Sequence, residues 1–246
     1  MPTVNYNKIS HIYDDVRQAD IELITHFLAE LDLNDAATIL DIGCGTGNHT
    51  DLLQKVTHSH VYGIEPSAGM LSRARQKNRH VVFQSGDAAH IPFDDDYFDF
   101  VYMTDVIHHV PDINSMFAEI KRVLKTNGNV CIVTQSHHQI EQRPIVQFFP
   151  GTASVDKARY PDIDQIVAQA AAQSLKFIKT TVLYENQAIE LGPEFLELVK
   201  KKGYSMLHLI ADEEYDEGVK RLETELRYGT IKSTLSGETL VWFIKP

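Results

Sequence analysis

The sequence predicts an α/β fold built on a parallel sheet. Three observations carry that expectation. Short apolar runs alternate with amphipathic helical stretches at the spacing of βαβ units. The first run ends on a carboxylate and then on three glycines at alternate positions, in Asp41-Ile-Gly43-Cys-Gly45-Thr-Gly47. The next two runs also lead into acidic residues, Glu65 and Asp87.

Taken in order, Ile21, Ile24, Phe27, Leu28 and Leu31 fall at spacings of three and four, which predicts a helix closed by Asn34 and Asp35. A strand follows over residues 38–42. Glycine punctuation then marks a tight turn where main chain and ligand approach closely. A helix over residues 48–56 starts at once, so its free N–H groups face back into the turn. A second strand covers 61–64 and ends at Glu65, and Pro66 suits the first turn of the next helix, with Met70, Leu71 and Ala74 on one face. Strand three covers 81–83 and leads to Gly86-Asp87-Ala88. Strand four covers 98–103, after the turn Asp94-Asp95-Asp96. Asp112 reads as the N-cap of a helix carrying Ile113, Met116, Phe117, Ile120 and Leu124. Asn127-Gly128 marks a turn before strand five, 130–134. Beyond it, residues 137–160 read as irregular, with Pro144, Pro150 and Gly151. Ile163, Ile166, Val167 and Ala170 mark a helix, 177–184 a strand, 193–227 two helices, and 239–244 a closing apolar strand. No repeat or long linker interrupts the chain, so residues 1–246 are expected to form one domain, with the extra helical material as a cap.

Bulk properties narrow the class. With 43% hydrophobic and 23% charged residues among 246, the chain is an ordinary globular one. No apolar run reaches the roughly 20 residues of a membrane span. The N-terminus shows neither a basic nor an apolar leader region. Two cysteines fit a reducing cytosol, so a cytoplasmic location is expected. A net charge of -11 disfavours nucleic acid as a partner. Lys200-Lys201-Lys202 reads as a solvated helix end.

The glycine turn announces a nucleotide, and the residues around it discriminate between nucleotides. A nicotinamide fingerprint wants a third glycine where this chain has Asn48. Asp41, two residues before the first glycine, suits a cationic or amine-bearing ligand better than a pyrophosphate. Glu65 can accept from both hydroxyls of a ribose. Asp87 can accept from an adenine amine.

Together, Asp41-Ile-Gly-Cys-Gly-Thr-Gly47, Glu65, Gly86-Asp87-Ala88, Phe98-Asp99-Phe100 and Ile107-His108-His109-Val110-Pro111 resemble class I S-adenosylmethionine-dependent methyltransferases. Glu119-Ile-Lys-Arg-Val-Leu-Lys125 with Asn127-Gly128 is similar to the small-molecule branch, which includes the ubiquinone/menaquinone-biosynthesis C-methyltransferases. The resemblance covers residues 36–136. It implies a Rossmann-like, seven-stranded, mostly parallel sheet with an antiparallel last strand, helices on both faces and a helical cap. It implies S-adenosyl-L-methionine as cofactor and a small organic methyl acceptor. Gly43, Cys44, Gly45 and Asp41 would hold the methionine moiety and Glu65 the ribose. Asp87 and Ala88 would face the adenine, and Met70, Thr104 and His109 would complete the pocket. The segment 1–35 resembles the family's lid, with Tyr13 and Arg17 closing over the cofactor.

His108-His109 and His137-His138 follow strands four and five, where open α/β sheets bind ligands. His109, His137 and His138 are the candidate general bases, against the plainer reading of hydrogen-bonded loop histidines. No metal site is expected, because adjacent histidines rarely aim at one ion. Substrate specificity is expected in 137–160 and 186–237, which carry Phe148, Phe149, Tyr160, Phe195, Tyr204, Met206 and Tyr215, with Tyr184 just before the second segment. Those residues also read as ordinary core. A monomer or homodimer is expected, with no membrane span. The competing classes are a non-catalytic cofactor-binding or regulatory protein of the same fold and an NAD-dependent dehydrogenase.

Overall fold

The protein is described by a computed structural model that places residues 18–246. Tyr13 and Arg17 lie outside the described residues. The described chain forms two compact units. One comprises residues 18–134, 163–181 and 240–246, and the other residues 135–162 and 182–239.

The first unit begins with α1 (Ile21–Glu30), capped by Asp20, whose Oδ1 accepts from the Glu22 and Leu23 N–H groups at 2.9 and 3.1 Å. The helix stops at Leu31, short of the expected Asn34 and Asp35. Then come β1 (Thr38–Ile42), α2 (Asn48–Thr57), β2 (His60–Ile64), α3 (Ala68–Lys77), β3 (Val82–Gln84) and β4 (Phe98–Thr104). They are followed by α4 (Ile113–Val123), β5 (Leu124–Thr134), α7 (Ile163–Ala172), β6 (Lys176–Leu183) and β9 (Glu238–Ile244). As the apolar patterning requires, the strands line up in one seven-stranded sheet, β3-β2-β1-β4-β5-β9-β6. β1 through β5 pair in parallel. β9 runs the other way. Its far end meets the start of β5, where Asn127 N–H donates to Lys245 O at 2.8 Å and Lys245 N–H to Gly128 O at 3.0 Å. Its beginning lies by the end of β5, where Gln135 Nε2 donates to Gly237 O at 2.5 Å.

Two apolar layers fix the sheet. On one side Phe117 and Ile120 of α4 and Ile166 of α7 join Val101, Ile132 and Phe243 in a continuous core. Elsewhere Trp242, Phe100 and Tyr102 stack, at 5.9 and 5.6 Å between ring centroids, with the Phe27 ring of α1 against all three. Asp112 caps α4 as expected, with Oδ1 accepting from Ser115 N–H at 3.0 Å. Strand five starts earlier than expected, at Leu124. Asn127, at φ 63°, makes an irregularity within the strand, and pairing with β4 jumps from Phe98–Leu124 to Phe100–Asn129.

The second unit corrects one expectation. Residues 137–160 are not irregular. They fold into α5 (His137–Glu141), a 3₁₀ turn over Pro144–Gln147, and α6 (Gly151–Arg159). Ser136 and Gln139 form a capping box on α5. Pro144 opens the 3₁₀ turn and Pro150 is the N-cap of α6, so both prolines start elements rather than break them. Further along lie β7 (Ala188–Leu191), α8 (Pro193–Lys200), α9 (Asp212–Leu226) and β8 (Ile231–Thr234). β7 and β8 pair antiparallel across some forty residues, a contact their short, half-exposed patterns do not announce. Phe148, Phe149, Met206, Leu207 and Leu222 form the core of this unit. Gly218 lets α9 press on it, since a Cβ there would sit 2.3 Å from the Phe149 ring.

Candidate cofactor site in the first unit

The glycine turn leaves β1 and enters α2. Gly43 and Gly47 both take positive φ, 73° and 78°. A side chain at Gly43 would meet Val106 Cγ2 at 2.6 Å, and one at Gly47 would meet Phe83 Cζ at 2.8 Å. Sterics and backbone therefore both demand glycine. The turn is pinned to the neighbouring strand, with Gly43 and Cys44 N–H groups donating to Ile64 O at 2.8 and 3.0 Å. Cys44 is buried against Gly63, and burial pushes its thiol well up, so it packs rather than reacts.

Asp41 is the next-to-last residue of β1 and lies in its buried part. Parallel register sets it beside Tyr102 of β4. Tyr102 OH donates to Asp41 Oδ2 at 2.9 Å, and Thr50 Oγ1, from the first turns of α2, donates to the same oxygen at 2.6 Å. The carboxyl is only 4% exposed. Burial pushes its pKa up to about 7 against the pull of these two donors, with the Glu65 charge adding to the rise. Both donors address Oδ2. Among the described residues no donor is placed on Oδ1, which leaves that oxygen as the acceptor for a ligand.

Glu65, at the end of β2, is buried and clamped. Gly45 N–H donates to Oε2 at 3.1 Å and Ser67 N–H to Oε1 at 2.8 Å. Burial raises its pKa, and these two backbone donors oppose the rise. Each oxygen carries one donor and keeps a lone pair for another. Met70 is buried in α3, where its N–H reaches the capping Ser67 Oγ at 3.4 Å.

Asp87 and Ala88 follow β3. Asp87 is exposed, and its Oδ1 accepts from Ala89 N–H at 2.8 Å, while Ala88 is buried. Thr104 closes β4, and its Oγ1 is buried without a partner among the described residues. The next residue, Asp105, is held at φ 55°. His109 sits exposed in a 3₁₀ turn over Ile107–His109. Asp41, Glu65, Asp87 and Thr104 therefore all lie at the carboxyl ends of four adjacent parallel strands, β1, β2, β3 and β4.

His137 and His138 belong to the second unit. The His137 ring Nε2 donates to Tyr160 O at 2.8 Å, because a carbonyl can only accept, and Nδ1 stands 3.8 Å from Asp162. That nitrogen is committed to holding its own unit together. His138 is exposed.

Residues 40–132 match the family model described as a methyltransferase domain. Relatives with methyltransferase names also match the chain. The chain is 32% identical over 160 residues to a demethylmenaquinone methyltransferase of Lactiplantibacillus plantarum, covering 59% of this chain and 64% of that protein. The chain spans between 24% and 64% of the length of the curated relatives it matches. Among solved structures, one from Anabaena variabilis, described as a methyltransferase of an antibiotic biosynthesis pathway, superposes with a TM-score of 0.75 at 20% identity. It covers 93% of this chain and 98% of that one. A phosphoethanolamine N-methyltransferase of Haemonchus contortus, solved with phosphomonomethylethanolamine and S-adenosylhomocysteine, gives 0.61 at 20% identity, over 99% of this chain and 61% of that one. At these identities the structures share the fold. Nothing in the matches favours a nicotinamide dehydrogenase.

Within residues 40–132, sequence reading missed Thr50 and Tyr102, the two hydroxyls that hold Asp41. Tyr102 left one signal, a phenol in a strand otherwise apolar at its buried positions. Thr50 left none, since only the fold turns α2 back on β1. Val106, which fills the space beside Gly43, was equally silent. Among the described residues no cluster of three His, Cys, Asp or Glu side chains is placed to hold a metal.

Proposed function

We propose that the protein is an S-adenosyl-L-methionine-dependent methyltransferase acting on a small organic molecule, in the cytoplasm, as a monomer or homodimer. The observation that carries the reading is the buried Asp41 carboxyl, held on Oδ2 by Thr50 and Tyr102 with Oδ1 left over. A buried acceptor at the end of a strand, beside a glycine turn, suits the amino group of a cationic ligand. The cofactor fits the other residues. Glu65 keeps one lone pair on each oxygen for the two ribose hydroxyls. The unpartnered Thr104 hydroxyl is a buried polar atom that a ligand would satisfy. Gly43, Cys44 and Gly45 line the methionine side, Met70 packs beside them, and Asp87 with Ala88 receives the adenine.

When bound, the cofactor supplies a methyl carbon already activated by a positive sulfur. The chain's own task is then to orient, to exclude water and to take up the acceptor's proton. His109 is the imidazole assigned to that proton, because it follows β4 at the sheet edge that carries Asp41 and Thr104. The lid role of Tyr13 and Arg17 belongs to this proposal as well.

Calorimetry with S-adenosylmethionine and with NAD tests the cofactor. Binding of NAD alone would defeat the reading. Release of S-adenosylhomocysteine across a panel of small acceptors then separates an enzyme from a non-catalytic cofactor-binding protein. His109→Gln should lower kcat by a larger factor than it weakens cofactor binding.

A further inference from the structure

We propose that the second unit contains a binding site for the carboxylate group of a small organic ligand, formed by Arg143 and Arg159. The inference stands on this unit alone and does not rest on the methyltransferase reading. The two guanidiniums share one carboxylate. Arg143 Nη1 and Arg159 Nη2 both pair with Asp156, which is 1% exposed, while each arginine side chain is 11% exposed. Two positive charges against one negative leave a surplus of one in a nearly buried cluster. Such a surplus is costly unless a counter-charge joins it.

The cluster is also held in a fixed geometry. Arg143 Nε donates to Gln135 Oε1 at 2.6 Å, and its guanidinium lies 5.3 Å from the Tyr160 ring centroid. Gln135 is itself oriented by its amide, which donates to Ser236 Oγ at 3.1 Å. Arg159 Nε donates to Asp156 Oδ1 at 3.1 Å, and Nη2 reaches Ser205 Oγ at 3.1 Å. A guanidinium has five N–H donors. Among the described residues no acceptor is placed on Arg159 Nη1, and the side chain is not sealed from solvent. Fixed planar donors, partly open, with one uncompensated positive charge, match a monoanionic planar acceptor. A carboxylate neutralises the surplus. A phosphate monoester, at about -1.5 to -2, would replace it with an excess of negative charge.

The test titrates the full chain with sodium benzoate, sodium phosphate and sodium chloride at equal ionic strength, by calorimetry and thermal midpoint. Benzoate should bind measurably and raise the midpoint above the chloride control. Arg159→Lys keeps the charge but loses the planar fork, and should weaken benzoate binding at least tenfold with an unchanged circular dichroism spectrum. Should that variant fail to fold, benzoate should still slow phenylglyoxal modification of Arg159 in the unaltered chain, read by mass spectrometry. No benzoate binding, full binding by Arg159→Lys, phosphate binding tighter than benzoate, or unprotected Arg159 would each overturn the site.

Discussion

Asp41 shows how much a single residue carries. Burial outweighs two hydrogen bonds and pushes its carboxyl up to about 7 in the fold, from the ordinary 3.8 of an unfolded chain. The folded state therefore binds the extra proton between those values. The contribution to stability is complete below about 4 and is lost as pH rises through 7. Asp41→Asn should remove that loss, so its denaturation midpoint should fall less between pH 5 and 8 than that of the unaltered chain. Parallel urea curves across that range would contradict the assignment. The ionised form is the better partner for a cation, so cofactor affinity should strengthen over the same range and lose that dependence in Asp41→Asn. Glu65 makes a second case. Glu65→Ala strands the Gly45 and Ser67 N–H groups and removes the proposed ribose acceptor, and should weaken cofactor binding by roughly 1–3 kcal/mol in calorimetry. Both carboxylates were legible in the sequence, because a charge placed where an apolar run ends is conspicuous. Thr50 and Tyr102, whose hydrogen bonds oppose the rise at Asp41, were not, since their role exists only when α2 and β4 flank β1.

Among the elements, the glycine turn and the α4 cap are the sharpest. At Gly47 an added methyl meets both a left-handed backbone and the Phe83 ring. Gly47→Ala should therefore destabilise the chain by more than about 1 kcal/mol, measured by chemical denaturation. Asp112→Ala removes one cap on an exposed face and should cost about 1 kcal/mol with the site unaffected. The pattern-based elements of the first unit were readable because each buries one face, which imposes a period. In the second unit that logic failed twice. The prolines at 144 and 150 look like breakers in sequence and serve as helix starts in the fold. β7 and β8 are four residues each, and long-range pairing, not local pattern, makes them strands.

At the scale of the whole molecule the two units have separate cores and one unequal reporter. Trp242 is the single tryptophan, 2% exposed and stacked in the first unit. Gly218→Ala forces a methyl against Phe149 in the core of the second unit and should destabilise it by about 1–3 kcal/mol. Circular dichroism should show a lowered melting midpoint while the native emission of Trp242 stays unchanged. A shifted native emission would mean that the damage is not confined as described.

By itself the sequence determined the α/β class, the succession of strands and helices up to β5 as βαβ units, and the glycine turn with its three carboxylates. These follow from local chemistry, since periodic burial, punctuation and charge at strand ends are written residue by residue. Tertiary structure decided what makes those residues act together. It set Asp41 between Thr50 and Tyr102, left the Thr104 hydroxyl without a partner among the described residues, and drew two arginines onto Asp156. Parallel pairing and helix packing bring these groups together from distant positions, and no local pattern records a contact made across sixty residues.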